Sequence, residues 1–295
     1  MFVQYQDSEV PLTSVPVKLP YAGVGEGLST RNASPTDWER HNVVERTKET
    51  IHVYCELMDV QHGNLGNAPK SNDLASLMVF RFRFDPQKKS RRVLGATASI
   101  EFFPAAGHGN ALAVEAIAPD DRWSLMPTKD HEEDTSGSEL SLGMSQVVEA
   151  SGKVNWSKTR SRDVNGATIV SGARNLATGK DSGPYTIASW VFIENEKRQS
   201  GVPDSVRVAL LVRRENDKPF SAEVKLSVKA DLASNVEHFF KKSPVDDPIL
   251  FNPKAAVKNA KGRKTGVLNL GKVNLYSLCD ARMSAKAFWA VNATE

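Results

Sequence analysis

The sequence predicts an all-β fold: an antiparallel β-sandwich or β-barrel of about nine to eleven strands, with an irregular N-terminal arm and few short helices. Three observations predict it. Apolar and polar residues alternate along residues 220–231, the same alternation recurs in earlier segments, and short turn-like sequences separate them. A period of two places alternate side chains on opposite faces of a strand, so each segment has one buried and one wet face.

The clearest strand runs from Phe220 to Asp231, with apolar residues at every even position and polar residues at every odd one. Helical spacing does not fit this pattern. Residues 51–57 carry apolar side chains at odd positions, and 78–84 and 96–102 carry them at even positions. Further candidate strands are 111–117, 140–149, 153–158, 166–172, 185–194 and 206–213.

The connectors between these strands are short. Asn165 and Gly166 form a pair that tolerates positive φ at both positions, which is typical of a type I′ hairpin turn. Residues 107–110 and 215–219 are similar short links. Because parallel strands need crossovers of roughly a dozen residues or more, these links favour antiparallel neighbours.

Helix signals are few. Thr36 and Glu39 have the spacing of a capping box, which predicts a helix of about three turns that ends near Lys48. A second short helix is expected near 235–241. Residues 1–33 contain three prolines followed by three glycines and are typical of an irregular arm.

We therefore expect two regions. Residues 1–49 form the arm, with the possible short helix, and residues 50–295 form a single β-rich domain. A basic C-terminal segment packs on that domain and supplies late strands around 266–278 and 284–291.

The composition is that of an ordinary globular chain: 295 residues, 40% hydrophobic and 25% charged. The N-terminus has neither the basic nor the apolar region of a secretory signal, and no apolar run approaches the about 20 residues of a membrane span. These features predict a cytoplasmic protein without a membrane partner. The two cysteines, Cys55 and Cys279, are too few for a disulfide framework.

The small net charge of +3 hides an uneven distribution. Residues 220–295 carry 12 Lys+Arg against 7 Asp+Glu, and the first 219 residues carry 26 against 28. The basic stretches 88–92 and 258–264 could contact phosphates but lack aromatic residues on which bases could stack. A nucleic-acid partner is therefore not expected.

Several short phrases occur together along the chain. They are 118–121 (APDD), which runs on to 127–128 (PT), 190–195 (WVFIEN), 201–203 (GVP), 209–214 (ALLVRR), 246–251 (DDPILF) and 269–271 (NLG). In their order they resemble a group of uncharacterised β-rich proteins from filamentous fungi, over roughly residues 75–280. The resemblance implies a fungal source and a β-rich fold, and it brings no activity or catalytic set with it.

Cofactor and metal motifs are missing from the sequence. It contains neither dinucleotide-binding nor phosphate-binding glycine loops, no paired Cys/His spacing for zinc and no Gly-x-Ser-x-Gly elbow. The acidic run 130–134 offers oxygen ligands for calcium or magnesium, but Ser136-Gly137-Ser138 follows it and a solvated loop is the simpler interpretation. We expect no cofactor and no metal.

Candidate acid–base residues concentrate between Glu115 and Glu133, beside predicted strand ends. Asp121, His131 and Glu132, together with Glu101 on its strand, are the catalytic candidates. A carboxyl group beside an aromatic ring can have a raised pKa and act as a general acid. The competing interpretation of Asp121-Arg122-Trp123 is a turn with a surface ion pair and an anchoring tryptophan.

Large side chains on predicted strands could line a ligand cavity. The candidate substrate-binding residues are Trp123, Trp156, Trp190, Phe82, Phe102 and Arg122. A sandwich or barrel also needs such aromatic residues to fill its interior, and this is the default interpretation.

Two functional hypotheses follow. The first is a cofactor-independent isomerase, cyclase or lyase that acts on an apolar small molecule through a β-lined pocket and acid–base groups. The second is a non-catalytic interaction module for protein or glycan, which predicts an exposed aromatic or charged patch instead of a cavity.

Overall fold

The structure, a computed structural model, describes most of the β-rich part of the chain. The described ranges are 29–48, 51–66, 73–88, 90–105, 111–125, 153–154, 166–231, 245–255, 264–267 and 269–283. They form fourteen strands in two sheets, so the fold is an all-β sandwich rather than a closed barrel.

The first sheet has eight strands. They are β1 (Asn42–Lys48), β2 (Ile51–Asn64), β3 (Leu74–Pro86), β5 (Leu112–Ala118), β7 (Lys153–Val154), β10 (Ser205–Arg214), β13 (Lys264–Val267) and β14 (Asp280–Arg282). The main path runs β1-β2-β3-β10-β14-β7; β5 pairs with a second stretch of β10, and β13 adds to β2 in parallel.

The second sheet has six strands. They are β4 (Val93–Pro104), β6 (Asp121–Leu125), β8 (Thr168–Leu176), β9 (Tyr185–Ile193), β11 (Phe220–Ala230) and β12 (Ile249–Phe251). Their order is β12-β11-β4-β9-β8-β6, and all neighbours are antiparallel. The antiparallel sheets are as expected, but the link 215–219 joins β10 of the first sheet to β11 of the second, so it does not connect hydrogen-bonded neighbours. β4 and β5, the strands before and after 107–110, also lie in different sheets.

The core lies between the inner faces of the two sheets. Phe84 of β3 meets Phe192 of β9 at a ring-centroid distance of 5.3 Å, and Phe82 meets Trp190 at 6.1 Å. The alternation that predicted β11 holds, because Phe220 and most other even positions of that strand are buried. Burial of such side chains is the main term that stabilises a sandwich.

The helix expected from Thr36 to Lys48 is wrong. Residues 42–48 form β1 instead, with Lys48 opposite Ile51 and Arg46 opposite Val53 of β2. Val43 and Val44 are buried, and β-branched residues suit a strand better than a helix. The expected helix near 235–241 and the expected strand 140–149 lie outside the described residues, and of 153–158 the structure describes only 153–154, which is β7.

The C-terminal segment packs on the sandwich with more turn than strand. The strand expected over 266–278 is only partly present: after β13 come two 3-10 turns, Leu270–Lys272 and Leu275–Leu278, followed by β14. Leu270 and Leu275 are buried, and the two turns contact β3 and β10. The strand expected at 284–291 lies outside the described residues.

Residues 29–41 are irregular but are tied to the chain just before β12. The backbone N–H of Thr30 donates to Asp246 at 2.7 Å, and that of Asn32 donates to Asp247 at 2.9 Å. Asp246 also pairs with the buried guanidinium of Arg46 at 2.6 Å. In the described part of the chain, no helix is long and apolar enough to cross a membrane.

Candidate functional site

The predicted site residues do not converge on one place. Trp123 and Trp190 both donate to backbone carbonyls of the corner between β5 and β6, with Asp121 and Arg122 on the same corner. Glu101 lies on the outer face of the six-stranded sheet, and Phe82 and Phe102 lie in the core. His131, Glu132 and Trp156 lie outside the described residues.

At the corner, the chain leaves the eight-stranded sheet after Ala118 and joins the six-stranded sheet at Asp121. Two tryptophans fix this crossing. The indole N–H of Trp123 donates to the carbonyl of Asp120 at 2.5 Å, and that of Trp190 donates to the carbonyl of Pro119 at 3.0 Å. Each buried indole thereby gains the partner that its N–H requires.

A carboxyl group and a phenol face each other beside this corner. The hydroxyl of Tyr276 donates to Oδ1 of Asp120, and it accepts a hydrogen bond from the N–H of Asp120 at 3.2 Å. The Tyr276 ring lies against Trp123 with centroids 5.3 Å apart. Asp120 and its neighbour Asp121 are exposed. The arrangement offers one acid–base pair at the surface.

Glu101 stabilises the turn between β8 and β9. It is 7% exposed although it faces outward from β4. Its carboxylate accepts hydrogen bonds from the N–H of Thr178 at 3.1 Å and from the Thr178 hydroxyl at 3.0 Å, and Lys225 Nζ lies 3.9 Å away. These contacts tie the β8–β9 connection to the sheet.

Three of the predicted substrate-binding residues are packed core side chains. Phe82 and Trp190 are 0% exposed and Phe102 is 2% exposed. The Phe82 ring centroid lies 6.1 Å from those of Trp190 and Phe192, and the Phe102 ring centroid lies 6.4 Å from that of Phe220. These three residues fill the interior of the sandwich, which is the default interpretation of such aromatic residues.

The described ranges contain no group of three or more His, Cys, Asp or Glu side chains that could hold a metal ion. Cys55 and Cys279 are both free and buried. Burial raises the pKa of both thiols, that of Cys279 to about 12. Neither has the lowered pKa of a nucleophilic cysteine.

Sequence reasoning missed a buried chain of three polar side chains. His62 Nε2 lies 2.8 Å from Oε1 of Glu39, and His62 Nδ1 lies 2.8 Å from Oγ of Ser76. All three are at most 4% exposed, and the imidazole stands edge-on to Phe220. His62 and Ser76 are directly opposed on β2 and β3.

A bulge explains why the pattern concealed His62. Ile51, Val53, Cys55 and Leu57 face inward at odd positions, and continuing that alternation would place His62 on the wet face. The register of β2 against β3 shifts between Leu57 and Asp59. One extra residue reverses the faces that follow.

A carboxylate, a histidine and a serine hydrogen-bonded in this order resemble a catalytic triad, but here the three side chains are buried. A nucleophilic serine must reach its substrate, and Ser76 is 0% exposed. The N–H of Glu39 donates to the carbonyl of Leu250 at 2.6 Å, so the same residue also touches β12 of the other sheet. In this structure the hydrogen-bonded residues Glu39, His62 and Ser76 join the segment before β1 to both sheets.

The outer face of the six-stranded sheet holds the exposed large apolar residues of β9. Tyr185 is 46% exposed, Val191 39% and Ile193 37%, and all three are at outward, odd positions. The β4 and β8 residues that pair with Val191 and Ile193 carry no charge, whereas Glu101 of β4 pairs with Ile187 and the Arg174 guanidinium of β8 lies over Tyr185. We call the following ten residues the β9 face: Gly95, Thr97, Ser99, Ile169, Ser171, Ala173, Ile187, Ser189, Val191 and Ile193.

No family model, no curated protein and no solved structure matches this chain. The resemblance to fungal proteins therefore stays a prediction.

Proposed function

We propose that this chain is a non-catalytic interaction module that associates with a second copy of itself through the β9 face. The observation that carries the proposal is the exposed pair Val191 and Ile193 within a sheet face of ten uncharged residues, with the exposed Tyr185 beside that face. Exposed apolar patches of this kind are typical of protein–protein contacts.

The absence of charge from the middle of the β9 face favours a second copy as the occupant. Two identical faces can meet there without burying a charge, which is costly, and the cationic Lys225, Lys229 and Arg122 border the face. Sheets that pack face to face lie about 10 Å apart, with their strand directions turned by roughly 30°. Thr97 and Ser99 add hydroxyls that can hydrogen-bond across the contact.

A glycan is a weaker occupant for this face. A sugar ring needs an open aromatic face to stack on, and the aromatic ring beside the β9 face is Tyr185. The guanidinium of Arg174 lies over that ring at 5.3 Å and covers it.

The size of the face predicts the strength of the contact. A stable interface uses roughly 20–30 residues on each side, and the β9 face has ten. We therefore expect weak, concentration-dependent dimers. Sedimentation velocity at rising protein concentration should show the average sedimentation coefficient increasing from the monomer value.

A charge on the face should abolish this increase. Val191→Glu should stay monomeric, while Thr47→Glu, an equal change at an exposed position of β1, should behave like the wild type. Far-UV circular dichroism verifies that both variants fold. A wild type that stays monomeric at every concentration, or a Val191→Glu variant that associates as before, would overturn the proposal.

A cofactor-independent enzyme for an apolar small molecule is a second candidate, favoured by the surface pair of Asp120 and Tyr276 beside Trp123. Such a ligand would lie against the Trp123 ring with its polar atom toward the pair. Titration with the neutral dye Nile red tests this. Saturable binding that is lost in Tyr276→Ala and kept in Val191→Glu supports it, and no saturable binding counts against it.

A further inference from the structure

Four outward-facing side chains lie in register across the eight-stranded sheet, on the opposite side of the sandwich from the β9 face. They belong to adjacent strands: Tyr54 opposes Arg83, Arg83 opposes Ser205, and Ser205 opposes Arg282. All four are at least partly exposed. We call this set the arginine row.

The neighbouring row also carries two arginines, but it is neutral. Glu56 opposes Arg81, Arg81 opposes Arg207, and Arg207 opposes Asp280. Arg81 pairs with Glu56 at 2.7 Å, and Arg207 pairs with Asp280. Two carboxylates thus match two guanidinium groups, and this row has no charge to offer a ligand.

The arginine row lacks such matching carboxylates. Among the described residues, neither Arg83 nor Arg282 has a carboxylate oxygen within 4.0 Å. Arg83 lies over the Tyr54 ring at 5.3 Å, a cation–π contact that orients the guanidinium, and its charge acts on Glu56 of the neighbouring row from beyond ion-pair distance. The row therefore presents two guanidinium groups without a carboxylate at ion-pair distance on four hydrogen-bonded strands, and Glu45 of β1 opposes Tyr54 at its end.

The spacing of these charges suits one anion. Arg83 and Arg282 lie two strands apart, roughly 10 Å between backbones, with the Ser205 hydroxyl between them. Both side chains are long enough to reach inward over Ser205. Guanidinium groups bind phosphate oxygens through two parallel N–H bonds, and a phosphate monoester near pH 8 carries the charge of −2 that two arginines balance.

We propose that the arginine row binds a phosphoryl group, with Arg83 and Arg282 on its oxygens and Ser205 as a third donor. Isothermal titration calorimetry with inorganic phosphate, at low ionic strength and pH 8, is the test. We expect saturable binding that weakens as salt is added, because the exposed charges are then screened. A second titration with O-phosphoserine shows whether the site prefers a free phosphate or one carried by an amino acid.

The variants are matched in charge. Arg83→Gln and Arg282→Gln should each weaken phosphate binding roughly tenfold or more, because each removes a hydrogen-bonded charge. Arg213→Gln removes one exposed arginine from β10 outside the row and should bind as the wild type does. Unchanged melting temperatures verify that the folds are intact.

Three results would overturn the proposal: no saturable heat up to about 10 mM phosphate, affinity unchanged in Arg83→Gln, or an equal loss in Arg213→Gln. The last would show attraction by net charge alone. None of these results depends on association through the β9 face, since Val191→Glu leaves the arginine row in place.

Discussion

Gly172 of β8 lies directly against the carbonyl oxygen of Pro119, so that a Cβ at position 172 would stand 2.1 Å from that oxygen and 3.0 Å from Trp190 Nε1. Pro119 lies where the chain passes from one sheet to the other, and its carbonyl accepts the indole N–H of Trp190. The missing side chain of Gly172 therefore lets the crossing pack against the sheet.

Gly172→Ala should destabilise the fold by about 1–3 kcal/mol, the usual cost of overpacking a filled interior. Backbone atoms of the corner would have to move, since Pro119 has no flexible side-chain end at this contact. Gly95→Ala is the matched control on β4 of the same sheet, where the nearest atom to an added Cβ is 3.4 Å away. Urea unfolding measures both, and equal free energies of unfolding for the two variants would contradict this account of the corner.

The two hydrogen bonds that His62 makes, to Glu39 and to Ser76, should contribute unequally to stability. His62→Ala removes the partner on which Glu39 relies in the interior and should cost roughly 3–5 kcal/mol, the range for breaking a buried pair. Ser76→Ala removes one neutral hydrogen bond and should cost about 1–2 kcal/mol. Denaturant unfolding of both variants provides the comparison. A His62→Ala variant as stable as Ser76→Ala would show that the Glu39 contact adds little.

Local pattern predicted the strands whose alternation is unbroken. In β11 and in residues 80–84 of β3 the core-facing positions follow from a period of two, because one face lies in the core and the other toward solvent. Residues 75–80 of β3 are buried on both faces. Residues 36–48 show the limit of local sequence patterns. Their capping-box spacing suggested a helix, but residues 42–48 pair with β2 and form β1 instead.

The candidate sites depend on contacts that a sequence does not display. Trp123 and Trp190 are distant in sequence, and they donate to neighbouring carbonyls of one corner because of the path of the chain between sheets. His62 faces the core because of a single bulge, and Arg83 meets Ser205 through strand order. The pattern identified which residue types were available, and the sheet topology decided which of them lie together.

Glu56 makes part of the stability dependent on pH. Burial raises the pKa of its carboxyl group, but the hydrogen bond and charge of Arg81, with the charges of His41 and Arg83, outweigh burial and hold the pKa below its ordinary value of 4.5. A lowered pKa in the folded state stabilises the protein above pH 4.5, and this contribution is lost as the pH falls through the folded value.

Glu56→Gln should therefore be less stable than the wild type at neutral pH, by about 1 kcal/mol or less because the pair is partly exposed. The difference should shrink below pH 4.5. Urea unfolding of both proteins at a series of pH values measures it. A difference that stays constant into acid would mean that the Glu56 carboxylate gains nothing from Arg81.

Both cysteine thiols should be unreactive in the folded protein. The Cys279 thiol lies 3.3 Å from the carbonyl oxygen of Ala118, and burial raises its pKa to about 12. At pH 8 only about one such thiol in ten thousand is ionised, and thiolate is the reactive form. Burial also raises the pKa of Cys55 well above its ordinary value.

Ellman's reagent at pH 8 should detect no thiols in the native protein and two in guanidinium chloride, and Cys279→Ser should reduce the denatured count to one. Fast modification of the native protein would mean that the edge formed by β10 and the Leu275–Leu278 turn opens readily, since a buried thiol reacts only through local unfolding.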